Sequence, residues 1–353
     1  MPVRVRVLPI AALAGVVVLA LAALVLTSGT EQPRPAPGPP PLHATPATLE
    51  RVFAKARGGD TILLAGGRYR TFRGGMKRGT VTLAAEPGAV ATIAAVFNPA
   101  RNITLDGLRI TALEIGDSRS KHITVRNSRF DGAQAIIRTA DLSHADILLE
   151  RNTHAGYDKC DEGCYEGRVQ LVGHSGRPSG VTIRDSVFGP GGNSDGIQNG
   201  GYGVQILRNR FVGIHQTDGA DGVHADAIQL YGSRETVIRG NRMTDVATGI
   251  MAPDGTDHEL VEDNFIETNG YPFAITIGAD DGSVIRRNRL PGGACDYELS
   301  CGTLRISPGK DGGPGSGTVV EHNLLGALAV EPGAALAAEG GNVIEAGAAL
   351  RSP

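Results

Sequence analysis

The stretch that decides the fold reads TVIRGNRM at 236–243, ELVEDNFI at 259–266 and SVIRRNRL at 283–290. In each, apolar residues alternate with polar ones and lead into an Asn. Alternation of this kind marks a strand with one face buried. The same frame returns outward in both directions: VQILRNRF at 204–211, VTIRDSVF at 181–188, ILLERNTH at 147–154, ITVRNSRF at 123–130, ITLDGLRI at 103–110 and TVVEHNLL at 318–325. One column then reads Leu108, Ser128, Asn152, Ser186, Asn209, Asn241, Asn264, Asn288, Asn323, at steps of 20, 24, 34, 23, 32, 23, 24 and 35 residues. Self-similarity at a fixed period is the signature of a solenoid. The short steps suit one coil of a parallel β-helix, and the long ones a coil with a loop of about ten extra residues. Nine coils at the strand spacing predict a rod of roughly 40 Å.

A second column fixes the register. Two residues before the first, the chain reads Asp106, Arg126, Glu150, Arg184, Leu207, Arg239, Glu262, Arg286, Glu321. The sign alternates except at Leu207, as expected where stacked neighbours stabilise each other by opposite charge. The Asn column is expected to be a hydrogen-bonded ladder at a turn. A further strand follows in each coil, as RVQL at 168–171, GIQN at 196–199, AIQL at 227–230, GIMA at 249–252 and TLRI at 303–306. Ile197, Ile228 and Ile250 should point inward, and Gln170, Gln198, Gln229, Met251, Thr276 and Arg305 outward.

Composition agrees. The 353 residues include 50 Gly, 41% apolar residues, only 4% aromatics and no Trp, with a net charge of -3. Abundant Gly suits many tight turns, and the charge does not suggest a nucleic-acid partner. Arg4 and Arg6 precede an apolar run from Leu8 to Leu26. Residues 1–30 thus read as a signal peptide or membrane anchor that exports the rest, to the cell surface or beyond. Residues 31–45 are a Pro-rich linker, and 46–353 form the β-helix domain, expected to be a monomer. In an exported chain, Cys160 with Cys164 and Cys295 with Cys301 read as two local disulfide staples. Thr45-Pro46 is read as a helix start, and Leu49, Val52, Phe53 and Ala56 as the stripe of a helix capping the first coil.

That helix, with GDTILLAGGRY at 59–69 and TLAAEPG at 82–88, resembles the amino-terminal cap and first coil of pectate-lyase-like right-handed parallel β-helix proteins. The resemblance covers about 46–345. It implies the fold and, because that superfamily includes polysaccharide lyases, hydrolases, epimerases and phage tailspikes, a polysaccharide as the first partner to consider. The N-T-D, G-H-G and R-I-K motifs of polygalacturonase-type hydrolases and the D-P-H signature of epimerases are absent.

Chemistry is sought in the long loops, 155–166, 213–226 and 291–302, which leave the rod at one corner. The middle one, GIHQTDGADGVHADAIQL at 213–230, carries the densest set. His224 and Asp226 stand two apart, so in extended chain they share a face, and a carboxylate beside an imidazole suits proton transfer. Asp195 and Gln198 are the counterparts of Asp226 and Gln229 on the preceding coil. The plainer reading is that Asp and Gly here are ordinary turn formers.

Three functions follow. In a polysaccharide lyase or epimerase, His224 oriented by Asp226 is the base, with His215 as second choice. Arg305, or Ca2+ held by Asp218 and Asp221 with Asp195, neutralises a uronate carboxylate, while Gln170, Asp195, Gln198 and Gln229 bind the chain. In a glycosidase, Asp195 pairs with Asp226 or Asp221. In a non-catalytic solenoid the same surface only binds glycan. The basic cluster Arg68, Arg70, Arg73, Lys77 and Arg78 reads as solvated, with contact to a glycan or an anionic surface as the alternative.

Overall fold

Each coil is built from three strands, and the first break between them falls at a single residue. The computed structural model describes residues 40–157, 167–215, 225–295, 299–309 and 312–345. Immediately before the Asn column the backbone turns left-handed, with φ from 50° at Asn127 to 67° at Gly240. Most of these residues carry side chains, so each turn costs about 1–2 kcal/mol. The next residue offsets that cost. Asn264 Oδ1 accepts the Asn241 N–H at 2.9 Å, and Asn264 Nδ2 donates to Ile238 O at 2.9 Å. Asn288 and Asn323 do the same one coil on, and Asn342 continues the ladder. Segments that read in sequence as one strand, such as 236–243, are therefore two, Val237–Arg239 and Arg242–Val246, meeting at the left-handed residue.

The first strands of all coils form a 13-stranded parallel sheet. The charge column lies in one register along it: Asp106 opposite Arg126, Arg126 opposite Glu150, Glu150 opposite Arg184, Arg239 opposite Glu262, Glu262 opposite Arg286. Arg126 Nε lies 2.9 Å from Asp106 and Arg286 Nε 2.7 Å from Glu262. The second and third strands make up a 20-stranded parallel sheet. Together they form the right-handed parallel β-helix expected from the repeat, in the hand that joined parallel strands adopt. Thirteen strands exceed the nine coils of the column, because three strands precede the coil of Leu108 and one, Leu336–Gly340, follows that of Asn323; Leu42–Ala44, read as linker, is the first strand, paired with Thr61–Leu64.

Stacked apolar columns fill the interior. Ile206, Ile238, Val261, Ile285 and Val320 line one wall, and Ile197, Ile228, Ile250, Ile275 and Leu304 another, all fully buried. Between them Phe130, His154, Phe188 and Phe211 stack with ring centroids 4.3, 4.7 and 4.8 Å apart. The His154 ring nitrogens have no hydrogen-bond partner, and burial, then the charge of Arg168, lowers its pKa to about 3.

The amino end is closed by helix α1 (Leu49–Lys55), which buries Leu49 and Phe53. It starts three residues later than the Thr45-Pro46 signal implied, because Thr48 Oγ1 accepts the Thr45 N–H and holds that stretch as a separate turn. Lys77 Nζ donates to Phe53 O and Ala56 O at the end of α1, where a cation suits free carbonyls. Cys295 and Cys301 form the expected disulfide. Cys160, Cys164, the apolar run 8–26 and nearly all of the linker lie outside the described residues. No helix among the described residues is long and apolar enough to cross a membrane.

Candidate functional site

The third strands carry one column on the side away from the apolar core, half-buried at Gln170, Gln229 and Arg305 and buried at Gln198, Met251 and Thr276. Its register runs Val96, Glu114, Ile136, Gln170, Gln198, Gln229, Met251, Thr276, Arg305. At its middle, three consecutive coils carry Gln. Gln170 Nε2 donates to Gln198 Oε1 at 3.4 Å, and a groove of about 330 Å³ opens between Gln170, Gln198, Gly200 and Tyr231. Two coils toward the amino end, a second groove of about 250 Å³ is lined by Glu114, Gln134, Ile136 and Tyr157. The two lie on one face, because side chains alternate across a strand and every coil repeats the alternation.

The paired carboxylates stand where these strands begin. Gly167 lies opposite Asp195, and Asp226 opposite Thr248. Both Asp195 and Asp226 are buried. Asp195 Oδ1 accepts the Asp226 backbone N–H at 2.8 Å, and Asp195 Oδ2 accepts from Gln198 Nε2 at 2.8 Å. Thr248 Oγ1 donates to Asp226 Oδ1. A chain of hydrogen bonds thus joins Thr248, Asp226, Asp195 and Gln198 to the Gln ladder. Glycine at 167 leaves the room: a Cβ there would lie 2.8 Å from Gln198 N and 3.1 Å from its Cγ.

Sequence reading passed over Arg168, which is fully buried beside Gly167. Its guanidinium donates to Ser194 O and Gly191 O, in the turn that delivers Asp195. A buried cation is expensive unless hydrogen-bonded, and these carbonyls supply acceptors. The signal was faint but present: Arg168 interrupts a strand at a position where the coils beyond it have Gly196, Ala227, Gly249 and Ala274.

His215 ends the strand Arg210–Ile214, and its Nε2 lies 2.9 Å from Asp245 Oδ1 on the next coil. Asn269 Nδ2 donates to the same oxygen at 2.9 Å. The Asn269 amide, with the His215 ring beside it, holds Asp245 below the usual carboxylate range. His215 therefore has a carboxylate partner that sequence spacing did not reveal, since Asp245 is thirty residues away. His224, Asp218 and Asp221 lie outside the described residues.

Arg305 shares the outward column but stands three coil steps from Gln229, on the order of 14 Å. Its Nε lies 2.7 Å from Glu331 Oε1, and its guanidinium 5.0 Å from the Phe273 ring centre. The structure thus brings Gln170, Gln198, Gln229, Asp195 and Asp226 together and keeps Arg305 apart.

Among the described residues, Asp257, His258 and Asp281 converge closely enough to hold a metal. They do not fit Ca2+, which takes oxygen ligands. The His258 ring is bonded to Asp257, whose other oxygen lies 3.2 Å from Arg234 Nε.

No protein-family model matches the chain, and no curated protein matches it. Solved structures do. A surface adhesin of Streptococcus pneumoniae, PfbA, superposes with a TM-score of 0.58 at 13% identity, over 84% of each chain. A mannuronic acid specific polysaccharide family 6 lyase from human gut microbiota superposes with a TM-score of 0.54 at 12% identity, over 83% of this chain and 84% of that one. The fold these structures share with the chain is the parallel β-helix. An alginate lyase of the PL6 family, AlyGC, matches at 0.50 and 15% identity, over 84% of this chain and 50% of that one. An adhesin and lyases share this scaffold, so the likeness speaks to fold alone.

Proposed function

We propose that this chain is an extracellular carbohydrate-active β-helix, a polysaccharide lyase or related epimerase, that takes an acidic polysaccharide along its outward column. The observation that carries the reading is the link between the two halves of the site: Gln198 Nε2 donates to Asp195 Oδ2 at 2.8 Å, joining the Gln groove to the carboxylate corner. Amide side chains offer both donors and acceptors to sugar hydroxyls. The corner supplies the proton-handling end, where Asp226 orients His224 as the base that removes the C5 proton. His215, held by Asp245, is the second base candidate. Arg305 is too far along the column to meet the same sugar unit; Asp218 and Asp221 would hold Ca2+, which would supply the positive charge that neutralises a uronate carboxylate.

A glycosidase has less support, because its two carboxylates must flank the scissile bond, whereas Asp195 and Asp226 stack on adjacent coils of one wall. A purely binding role is favoured by one feature, the burial of both carboxylates. The test is ultraviolet detection of unsaturated uronate. Full-length protein is incubated with a panel of acidic polysaccharides, with and without Ca2+, beside Asp226→Asn and His224→Ala. Absorbance that rises with wild type and not with the variants supports elimination. A flat trace with retained polysaccharide binding sinks elimination and leaves epimerisation, hydrolysis and plain binding, which reducing-sugar release and the uronate composition of the recovered polymer separate.

A further inference from the structure

Charge is distributed unevenly along this rod. Residues 40–101 carry nine Lys and Arg against three Asp and Glu, while the whole chain carries 34 against 37. Pairing differs as well. Arg109, Arg126, Arg184, Arg239 and Arg286 of the later coils each stand against a carboxylate. At the amino end, Arg68, Arg70, Arg73 and Arg78 are exposed, and among the described residues none forms an ion pair or side-chain hydrogen bond. Lys77 is excluded from this set by its bonds to α1.

The position of these arginines matters more than their number. Arg68 pairs with Thr92 in the same sheet that carries the outward column, and Phe72 bridges to Ala95, which sets Arg73 beside Val96. Arg73 therefore continues the column that bears the Gln ladder, four steps before Gln170, on the order of 19 Å away, while Arg68 heads the adjoining second-strand column through Thr92 and Arg109. A concavity of about 610 Å³ opens beside them, lined by Pro46, Leu49, Glu50, Arg68, Tyr69 and Arg70. A guanidinium binds a carboxylate through two parallel hydrogen bonds, and an uncompensated row of them attracts polyanions.

We infer that the amino-terminal end, through Arg68, Arg70 and Arg73, is an anchoring site for carboxylates of the same acidic polysaccharide, remote from the carboxylate corner. It rests on the reading of the outward column as the polysaccharide path. It divides the labour along the rod: neutral amides hold the unit near the corner, and cations grip the chain farther along. Anionic phospholipid is the competing occupant.

The experiment measures binding of the full chain to polygalacturonate and alginate polymers and to their short oligosaccharides, over a range of salt. The variants are the triple Arg68→Gln/Arg70→Gln/Arg73→Gln, the triple Arg→Lys control, and Gln198→Ala. The Gln triple should weaken polymer binding about tenfold, the sum of three exposed ion pairs, and flatten its salt dependence. Short oligosaccharides should be unaffected, and the Lys triple should keep most of the affinity. Wild-type polymer affinity in the Gln triple overturns the inference. So does loss of binding to phosphatidylglycerol vesicles with polymer affinity unchanged, which would assign the patch to lipid. If Gln198→Ala changes nothing while the Gln triple weakens polymer, the groove reading fails and the anchoring site stands. The opposite pattern removes the anchoring site and keeps the groove.

Discussion

Two corners of the coil use buried polar groups in opposite ways. At the Asn corner, every coil from Asn209 to Asn323 repeats the same bonds to its neighbours. At the loop corner, the polar run occurs on three coils only, Asp195, Asp226 and Thr248, and ends at Gly167 on one side. Repetition at every coil is what a solenoid needs, because a turn without its partner would leave backbone donors unsatisfied. A polar cluster that appears once per rod does nothing for the other coils. The difference separates residues kept for stacking from residues available for chemistry.

The comparison is broken most directly at the Asn corner. Asn264→Ala removes the acceptor for the Asn241 N–H and the donor to Ile238 O. Each orphaned buried group costs about 1–3 kcal/mol, so a loss of about 4 kcal/mol is expected in denaturant unfolding, with sugar affinity unchanged in whatever folds. If affinity falls while stability holds, the two corners are not separable. Asp226→Asn is the converse: turnover should drop about 100-fold, as for loss of a general-base orienter, with little change in melting temperature.

Two smaller effects sharpen the contrast between inert and titrating interiors. His154 has a folded pKa of about 3 against 6.5. The unfolded chain takes the proton first, so stability falls as pH drops from 6.5 toward 3. His154→Phe extends the Phe stack and should gain about 3 kcal/mol at pH 4 relative to its effect at pH 7, read from urea midpoints at the two pH values. Glu259 runs the other way. Burial pushes it to about 7 from 4.5, despite bonds from Ser233 Oγ and the Thr236 N–H. Here the folded state holds the proton more tightly, and stability falls as pH rises from 4.5 to 7. Glu259→Gln should remove that decline, about 2.5 kcal/mol between pH 4.5 and 7; an unaltered pH profile would show that Glu259 does not titrate in this window.

Much of this was legible before any coordinates. The charge column from Asp106 to Glu321 and the inward Ile197, Ile228 and Ile250 lie where the repeat placed them. The left-handed break inside each eight-residue segment was legible only in part: the ladder was expected at a turn, and Gly107, Asn127, Asp185, Gly240 and Asp263 suit the left-handed region, whereas Arg151, Arg208 and Arg287 gave no sign of it. At the site, the Asp195 and Asp226 pairing was readable as a repeated D-x-I-Q. Its burial and its bond to Gln198 were not, because they depend on what packs over the corner.

Sequence alone determined the stacking of the coils. In a parallel solenoid each residue meets its equivalent one period away, so a column written along the chain is also a column in space. Tertiary structure decided what no period encodes: that His215 pairs with Asp245, that Arg168 holds the turn before Asp195, that Arg305 stands apart with Glu331, and that Arg68, Arg70 and Arg73 have no ion-pair partner among the described residues. These contacts arise where loops and ends leave the repeat, and there distance along the chain no longer predicts distance in space.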